Sequence, residues 1–372
     1  MFGHHVTLFH LLGFPIRVDA SWLLLAAPIV WTLANGYFPS LAPDAPGPIH
    51  WLMALAGLVG LMASLVLHEF AHSVVARRHG MPIQAITLFL FGGVAEMEDE
   101  PATPRGELWM ALAGPAMSVA IGATMFAAQV GWLRAGGSAD DPVALVVGYL
   151  ALINGLLATF NMIPAFPLDG GRVLRAVLWG WKGDVLWATR MAGGVGWLFG
   201  LALASAGAVS IVQGGTLAGF WWILLGFFVY AAARGAVAQQ RTRQLLAAEP
   251  LSRFLRAPPP AVDPAMPIEH VVLEHPRATC PVVEDGRLVG AVSGEALRAP
   301  GAGRRRVAEV MHRLTEDHVI PLDFATNRAL VRMRRVGRGR LMVVEDGRLV
   351  GVVVLGDLLR FVAQRRDPKK CA

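Results

Sequence analysis

Long apolar stretches separated by short polar connections dominate the first two thirds of the chain. A helix of about 20 apolar residues is long enough to cross a bilayer. Six stretches approach or exceed this length, and they cover residues 20–37, 51–75, 108–133, 143–163, 191–212 and 217–237. The pattern therefore predicts that residues 1–240 form an all-α polytopic membrane domain with about six transmembrane helices.

Two connections between the predicted spans have patterns of their own. Residues 83–97 are rich in strand-forming residues and contain a Gly-Gly pair, which predicts a small β-hairpin at the cytosolic edge of the membrane. Residues 161–171 contain Pro164 and Pro167, which remove backbone donors and force extended neighbours. This second connection therefore cannot continue a regular helix.

The basic residues predict how the spans are oriented. If the N-terminus is cytosolic, the loops on the outer side carry only Arg134, and the basic residues of the inner connections are Arg77, Arg78, Arg105, Arg172, Arg175, Lys182 and Arg190. This asymmetry is typical of membrane proteins. We therefore expect a multi-pass protein of the cell membrane with both termini in the cytosol.

The first residues do not resemble a cleavable signal peptide, and His4, His5 and His10 are expected to lie in an unstructured tail.

Composition and charge change near residue 240. The chain is 16% charged and has a net charge of +6, which divides into −2 for residues 1–240 and +8 for residues 241–372. An ordinary soluble domain has about 25% charged residues, so the first part is typical of a membrane protein. For the basic second part, anionic lipid is a simpler partner than nucleic acid.

Cys280 and Cys371 form no disulfide framework and fit a reducing compartment.

A repeated segment organises the second part of the chain. Residues 282–290 and 343–351 share the sequence Val-Val-Glu-Asp-Gly-Arg-Leu-Val-Gly. Apolar residues on both sides of Asp-Gly predict a β-hairpin, and a short helix is expected after each hairpin, at residues 295–297 and 357–363. Each copy is therefore predicted to be a βαββα-like unit.

These patterns predict a soluble α/β domain at residues 261–366. Its two copies are expected at about residues 261–300 and 305–366. Residues 241–260, which contain three consecutive prolines, are predicted to be a stiff linker between the membrane domain and this tandem repeat.

The second predicted span contains His68-Glu69-Phe70-Ala71-His72 near its inner third. Histidines at i and i+4 share one helix face, so both imidazoles can bind one metal ion. Glu69 lies about 100° round the helix, where a carboxylate can take a proton from metal-activated water. An ionisable group in a membrane helix costs about 2.5–3.5 kcal/mol, which zinc coordination would offset. The alternative is a polar helix that faces a water-filled cavity or hydrogen-bonds with other helices.

Asp169 is the best candidate for a third metal ligand, because irregular backbone at membrane depth is tolerated mainly where it lines a cavity. It could instead cap the helix predicted to begin near Arg172. Asn161 could stabilise the oxyanion that forms when water attacks a peptide carbonyl, or could satisfy backbone groups at a helix end. Asn154 and the segment Ala113-Gly114-Pro115 are explained by contacts between helices.

Together these two segments resemble the site-2 proteases. Members of that family pair a membrane-embedded His-Glu-x-x-His with a downstream Asn-x-x-Pro-x-x-Pro-x-Asp-Gly, which here are residues 68–72 and 161–170. The resemblance covers about residues 10–240. It implies intramembrane proteolysis, in which zinc-activated water hydrolyses a peptide bond in or near a transmembrane segment of a membrane-protein substrate.

The resemblance also implies the roles of individual residues. Glu69 would be the catalytic base, and Asn161 would assist the transition state. One Zn²⁺ per chain would be bound by His68, His72 and Asp169. The segment around Gly92 and Gly93 would hold an unwound substrate by strand addition.

The tandem repeat resembles a pair of cystathionine-β-synthase (CBS) motifs, which one branch of the site-2 proteases carries. CBS sites for adenosine phosphates usually have Ser or Thr followed by Asp after the hairpin. The first copy has Ser293 but Ala296 at the acidic position, and the second has Asp357 but Val354 at the hydroxyl position. The resemblance implies an adenosine nucleotide whose ribose contacts Asp357. The alternative is a packing module that forms a homodimer.

A membrane ion transporter gated by the CBS-like pair is the alternative from another functional class. Its ion site would use the same His and Asp residues, but this hypothesis gives Glu69 no clear purpose. The expected partners of the protease are the lipid bilayer and a membrane-protein substrate, with no nucleic acid.

Overall fold

In the computed structural model, the chain forms two units. The described residues are 5–81, 83–89, 92–97, 101–274, 280–292, 294–297, 305–313 and 318–366. The first unit is Met1–Gln239 and the second is Gln240–Ala372.

The first unit is mainly helical, as predicted. Its helices are α1 (Trp22–Thr32), α2 (Phe38–Leu41), α3 (Gly47–Arg78), α4 (Pro104–Arg134), α5 (Pro142–Asn161), α6 (Asp169–Lys182), α7 (Val185–Val212) and α8 (Thr216–Ala247). Five of them, α3, α4, α5, α7 and α8, are long and apolar enough to cross a membrane. Side-chain oxygens cap several N-termini: Thr103 accepts from the amide of Gly106 on α4, and Asp184 accepts from two amides of α7.

The first predicted span is a segmented helix. Residues 22–41 form α1, a five-residue π-helical segment and then α2. Pro39 has no backbone N–H to continue the preceding hydrogen-bond pattern, and proline is tolerated in the first turn of a new helix. The span is therefore helical throughout, although no single segment reaches the length of a bilayer.

A four-stranded sheet packs against the helix that carries the histidines. Its strands are β1 (His5–Leu11), β2 (Phe14–Asp19), β3 (Ile83–Phe89) and β4 (Gly92–Met97), in the order β1-β2-β3-β4. Strands β2 and β3 are parallel and the other pairs are antiparallel. The core between this sheet and α3 includes Ile16, Val66 and Ile86. The predicted hairpin at residues 83–97 is therefore confirmed.

The expectation of an unstructured N-terminal tail is wrong for His5 and His10, which both belong to β1; His4 lies outside the described residues. The turn between β1 and β2 places Leu12 at φ 47° and Gly13 at φ 86°. Two consecutive positive φ angles give the type of tight turn that matches the twist of a β-hairpin. The parallel pairing with β3 stabilises this hairpin, and that long-range contact has no local signal.

The second unit contains two sheets with similar hairpins. The first copy contains α9 (Ile268–Glu274), β6 (Cys280–Glu284), β7 (Arg287–Val292), α10 (Gly294–Leu297), α11 (Val307–Val310) and β8 (His312–Arg313). The second contains β9 (Val319–Pro321), α12 (Thr326–Val336), β10 (Arg340–Glu345), β11 (Arg348–Val354) and α13 (Leu355–Arg366). Asp285-Gly286 and Asp346-Gly347 have positive φ at both turn positions. Both predicted hairpins, and the helices after them, are confirmed.

Much of the predicted linker, residues 241–260, belongs to a helix and a strand. Helix α8 continues to Ala247, and the strand β5 (Leu255–Arg256) pairs with β11 in a sheet of order β5-β11-β10-β9. Leu246, Leu251 and Phe254 are buried in the core of that sheet. The apolar side chains of residues 246–254 therefore join the second copy, and the irregular connector is confined to residues 257–261.

Candidate metal centre and active site

Three predicted ligand atoms converge in the first unit. His68 and His72 lie one turn apart on α3, and Asp169 is the first residue of α6. Asp169 Oδ2 is 3.2 Å from His68 Nε2 and 3.1 Å from His72 Nε2. The two Nε2 atoms are 3.2 Å apart. The side chains are largely buried, with exposed fractions of 5%, 11% and 14%.

This donor set fits a zinc ion. Zinc bound tetrahedrally at about 2.0–2.1 Å from each ligand atom separates the ligand atoms by roughly 3.3–3.4 Å, close to the distances found here. The carbonyl oxygen of Met110 accepts a hydrogen bond from His72 Nδ1 at 2.6 Å, so in the neutral ring Nε2 carries a lone pair. Nitrogen lone pairs and a carboxylate oxygen that face one another repel unless a cation lies among them.

Helix α4 forms the wall behind both imidazoles. Ser118 Oγ is hydrogen-bonded with His68 Nδ1 at 2.9 Å, and both residues are buried. A Cβ atom on Gly114 would overlap the Nε2 atoms of His68 and His72. Gly114 was expected to serve only close packing between helices, yet the lack of a side chain at this position leaves room for both imidazoles. The spacing of four between Met110, Gly114 and Ser118 places all three on one helix face and was the available signal.

The proline-broken connection brings Asp169 to the histidines. The N-cap of α6 is Leu168, which makes no side-chain capping bond. The capping alternative for Asp169 is therefore wrong, because its carboxylate faces the imidazoles. Gly170 and Gly171 pack directly on backbone atoms of residues 162–166, where any Cβ would collide.

A buried ion pair connects α6 to α4. Arg175 donates from Nε to Glu107 Oε1 at 2.6 Å, and its Nη2 contacts the same oxygen. Glu107 is fully buried and Arg175 is 8% exposed. Neither residue was singled out as functional by its sequence context. The pair holds α6, and with it Asp169, against the helix that supports the imidazoles.

The ligands open into a cavity of about 420 Å³. Its lining also includes Glu69, Asn161, Gly93 and Arg172. The first three were predicted as site residues, and they share this cavity with the three candidate ligands. A Cβ on Gly93 would overlap the Glu69 side chain, which places β4 directly against that carboxylate. Gly92 pairs with Phe89 at the start of β4. The remaining lining is mostly apolar and includes Leu65, Ile83, Phe89, Leu157, Leu225 and Phe228.

Comparison with known proteins decides the family of this chain. Residues 56–135 and 130–207 match the family described as Peptidase family M50. A Mycobacterium tuberculosis protein named "Putative zinc metalloprotease Rip3" is 34% identical over 94% of this chain and 91% of its own length. The chain belongs to peptidase family M50. It is a zinc metalloprotease of the site-2 protease type, and its activity is intramembrane proteolysis.

Three further similarities cover different lengths of this M50 peptidase. A zinc metalloprotease from Methanocaldococcus jannaschii is 30% identical over 97% of both chains. The solved structure of a site-2 protease from the same organism is 29% identical, with a TM-score of 0.43, and covers 63% of this chain and 95% of that chain. Residues 307–364 match the CBS domain. The predicted CBS resemblance is thereby confirmed for the second copy.

In the M50 peptidase's CBS domain, arginines hold the carboxylate of Asp357. Arg256 donates two hydrogen bonds to it at 2.6 Å each, and Arg360 donates a third. The hydrogen bonds from Arg256 are the main cause of a pKa for Asp357 below its usual range. Contact between Asp357 and a ribose stays a prediction, as does any role of Ser293, which lies outside the described residues.

Proposed function

We propose that His68, His72 and Asp169 bind one zinc ion per chain and that Glu69 is the catalytic base for peptide-bond hydrolysis. The observation that carries this proposal is the convergence of three ligand atoms, each within 3.2 Å of the others, beside the Glu69 carboxylate in one cavity. Zinc, when bound, supplies Lewis acidity that polarises a carbonyl and makes water more acidic.

Glu69 and Asn161 carry out the proton transfer and the stabilisation of the oxyanion. Glu69 removes a proton from the attacking water, whose oxygen forms a bond with the substrate carbonyl carbon. The side-chain amide of Asn161 donates a hydrogen bond to the oxyanion that results. When the C–N bond breaks, Glu69 returns the proton to the leaving nitrogen, so that a carboxylic acid and an amine are released, and the acid then loses its proton to solvent.

We propose that the substrate is a transmembrane segment that binds as an extended strand. Within the part of the sheet that the structure describes, β4 lies at the edge, and Gly93 contacts Glu69. A strand added to β4 would pass close to the metal cluster, and glycines at 92 and 93 leave room for its backbone. The substrate must unwind first, because a helical carbonyl is already hydrogen-bonded.

We propose a multi-pass location in the cell membrane with both termini in the cytosol. The support is the excess of arginine and lysine on connections of one side. For the CBS domain we propose a regulatory role, with an adenosine nucleotide or a second copy of the chain as its partner. Family membership favours the protease over the CBS-gated transporter, since Glu69 then has a defined role.

The test of the catalytic assignment compares three purified full-length proteins. We expect the wild type to contain one zinc per chain and to cleave membrane-protein substrates, Glu69→Gln to keep the zinc and lose cleavage, and Asp169→Asn to lose both. Zinc is measured by atomic emission. Substrates are found as membrane proteins that accumulate only in cells with Glu69→Gln. Cleavage retained by Glu69→Gln, or a zinc content unchanged by Asp169→Asn, would overturn the assignment.

A further inference from the structure

Helix α6 carries two arginines in different environments. Arg175 is buried and ion-paired with Glu107. Arg172 is half-buried and lines the catalytic cavity together with Glu69 and Asp169. Residues three apart lie on neighbouring positions of a helix face, so Arg172 extends from beside the ligand Asp169 into the same space. One arginine thus has a structural partner, and the other faces the substrate cavity.

Among the described residues, Arg172 makes no hydrogen bond or ion pair. The two carboxylates of the same cavity are directed elsewhere, since Asp169 Oδ2 contacts both imidazoles and Glu69 packs against Gly93. Most of the other lining side chains are apolar. A guanidinium is always charged and carries five donors that match a carboxylate. Partial burial without a partner costs free energy, which an anionic group of a bound substrate would offset.

We propose that Arg172 binds an acidic side chain of the substrate close to the scissile bond and so selects the bond that is cleaved. This inference rests on the proposed function of the site. In a peptide that lies across the cavity, the anionic groups within the chain are Asp and Glu side chains. Side chains at i and i+3 of a helix are about 5–6 Å apart, and an extended substrate advances about 3.3 Å per residue. The acidic residue therefore lies within about two residues of the cleaved bond.

The experiment is a digest of a proteome-derived peptide library by the full-length zinc-loaded protein in detergent, with every cleaved bond mapped by mass spectrometry. The compared proteins are wild type, Arg172→Gln, Arg172→Glu and the control Arg190→Glu. Arg190 is an exposed arginine of α7, so its reversal makes the same change of charge away from the cavity. Zinc content is measured for each protein, which separates an effect on selection from loss of the metal.

We expect one position beside the cleaved bond to favour Asp and Glu over Asn and Gln by about tenfold, the usual scale of a charged hydrogen bond. Arg172→Gln should lose this preference while cleavage of neutral peptides continues. Arg172→Glu should favour Lys and Arg at the same position, and Arg190→Glu should behave as the wild type. An equal slowing of all peptides by Arg172→Gln, or an acidic preference that it leaves unchanged, overturns the inference.

Glu69→Gln separates this inference from the proposed function. If that variant cleaves the same peptides, the proposed function fails and the inference fails with it. If the wild type cleaves, Glu69→Gln does not, and no position favours acidic residues, the proposed function stands and the selection by Arg172 is rejected.

Discussion

Gly114 determines whether two imidazoles fit beside α4. A Cβ atom at this position would overlap both Nε2 atoms of the histidine pair. We therefore expect Gly114→Ala to displace the ligands and to weaken zinc binding by about 10–100-fold, the scale seen when groups that orient metal ligands are disturbed. The measurement is zinc affinity by competition with a chromogenic chelator, with peptide cleavage measured in parallel.

Gly131 provides the matched control for this substitution. It belongs to the same helix, and a Cβ added there would meet no atom within 4 Å. Gly131→Ala should bind zinc and cleave peptides as the wild type does. Equal zinc affinity in both variants would show that the imidazoles do not depend on the space that Gly114 leaves.

The three candidate ligands were easier to predict from the sequence than the residues that contact them. His68 and His72 are separated by one helical turn, and an acidic residue in a proline-broken segment has few alternatives, so a pattern could find all three. Ser118 and Met110 contact the imidazoles from 50 and 38 positions away. Such contacts depend on how α3 packs on α4, which no local pattern contains. Asn154 is an intermediate case, since its predicted bond between helices is present and its partner is Ser64.

At the scale of elements, the position of α6 depends on a buried ion pair. Removing one partner of a buried pair leaves an uncompensated charge and typically costs about 3–5 kcal/mol, whereas replacing both with apolar residues is often neutral. We therefore expect Glu107→Met and Arg175→Met to be strongly destabilised, and the double variant to recover much of that stability. The measurement is denaturant unfolding of the full chain in detergent.

An exposed pair of the same chemistry is the control for this cycle. Arg305 and Glu309 form an ion pair on the surface of the second unit, with about half of each side chain exposed. Such a pair contributes about 0–1 kcal/mol, so Glu309→Gln should change stability little. Single variants at Glu107 or Arg175 that are no less stable than Glu309→Gln would contradict a structural role for the buried pair.

Elements were predictable where their signal is local. The apolar lengths of α3, α4, α5, α7 and α8 and the Asp-Gly turns of the CBS hairpins each lie within a short window. The first hairpin was missed, because β1 and β2 depend on parallel pairing with β3, about 70 residues further along. The structured part of residues 241–260 was missed for a similar reason, since Leu251 and Phe254 are buried by side chains from the second CBS copy.

At the scale of the whole molecule, metal binding and folding should be coupled in one unit and not in the other. All three proposed ligands belong to Met1–Gln239, where a zinc ion bound to them would join α3 to α6. In the part of the chain that the structure describes, Gln240–Ala372 has no comparable cluster of His, Cys, Asp and Glu. A ligand that binds only the folded state stabilises it by about 2.7 kcal/mol when its free concentration is 100 times Kd.

We therefore expect thermal unfolding of the full chain in detergent to show a transition that chelators shift and another that they leave unchanged. Removal of zinc should lower the first, because the cation that would hold His68, His72 and Asp169 together is then lost. For Asp169→Asn, the first transition should lie at this lower temperature even before chelator is added. Chelator should then change its unfolding temperature little. Hydrogen exchange followed by mass spectrometry assigns each transition, with peptides from α3 and α6 expected in the first and peptides from β10 and β11 in the second. A chelator that lowers both transitions equally, or neither, would contradict a zinc site confined to the first unit.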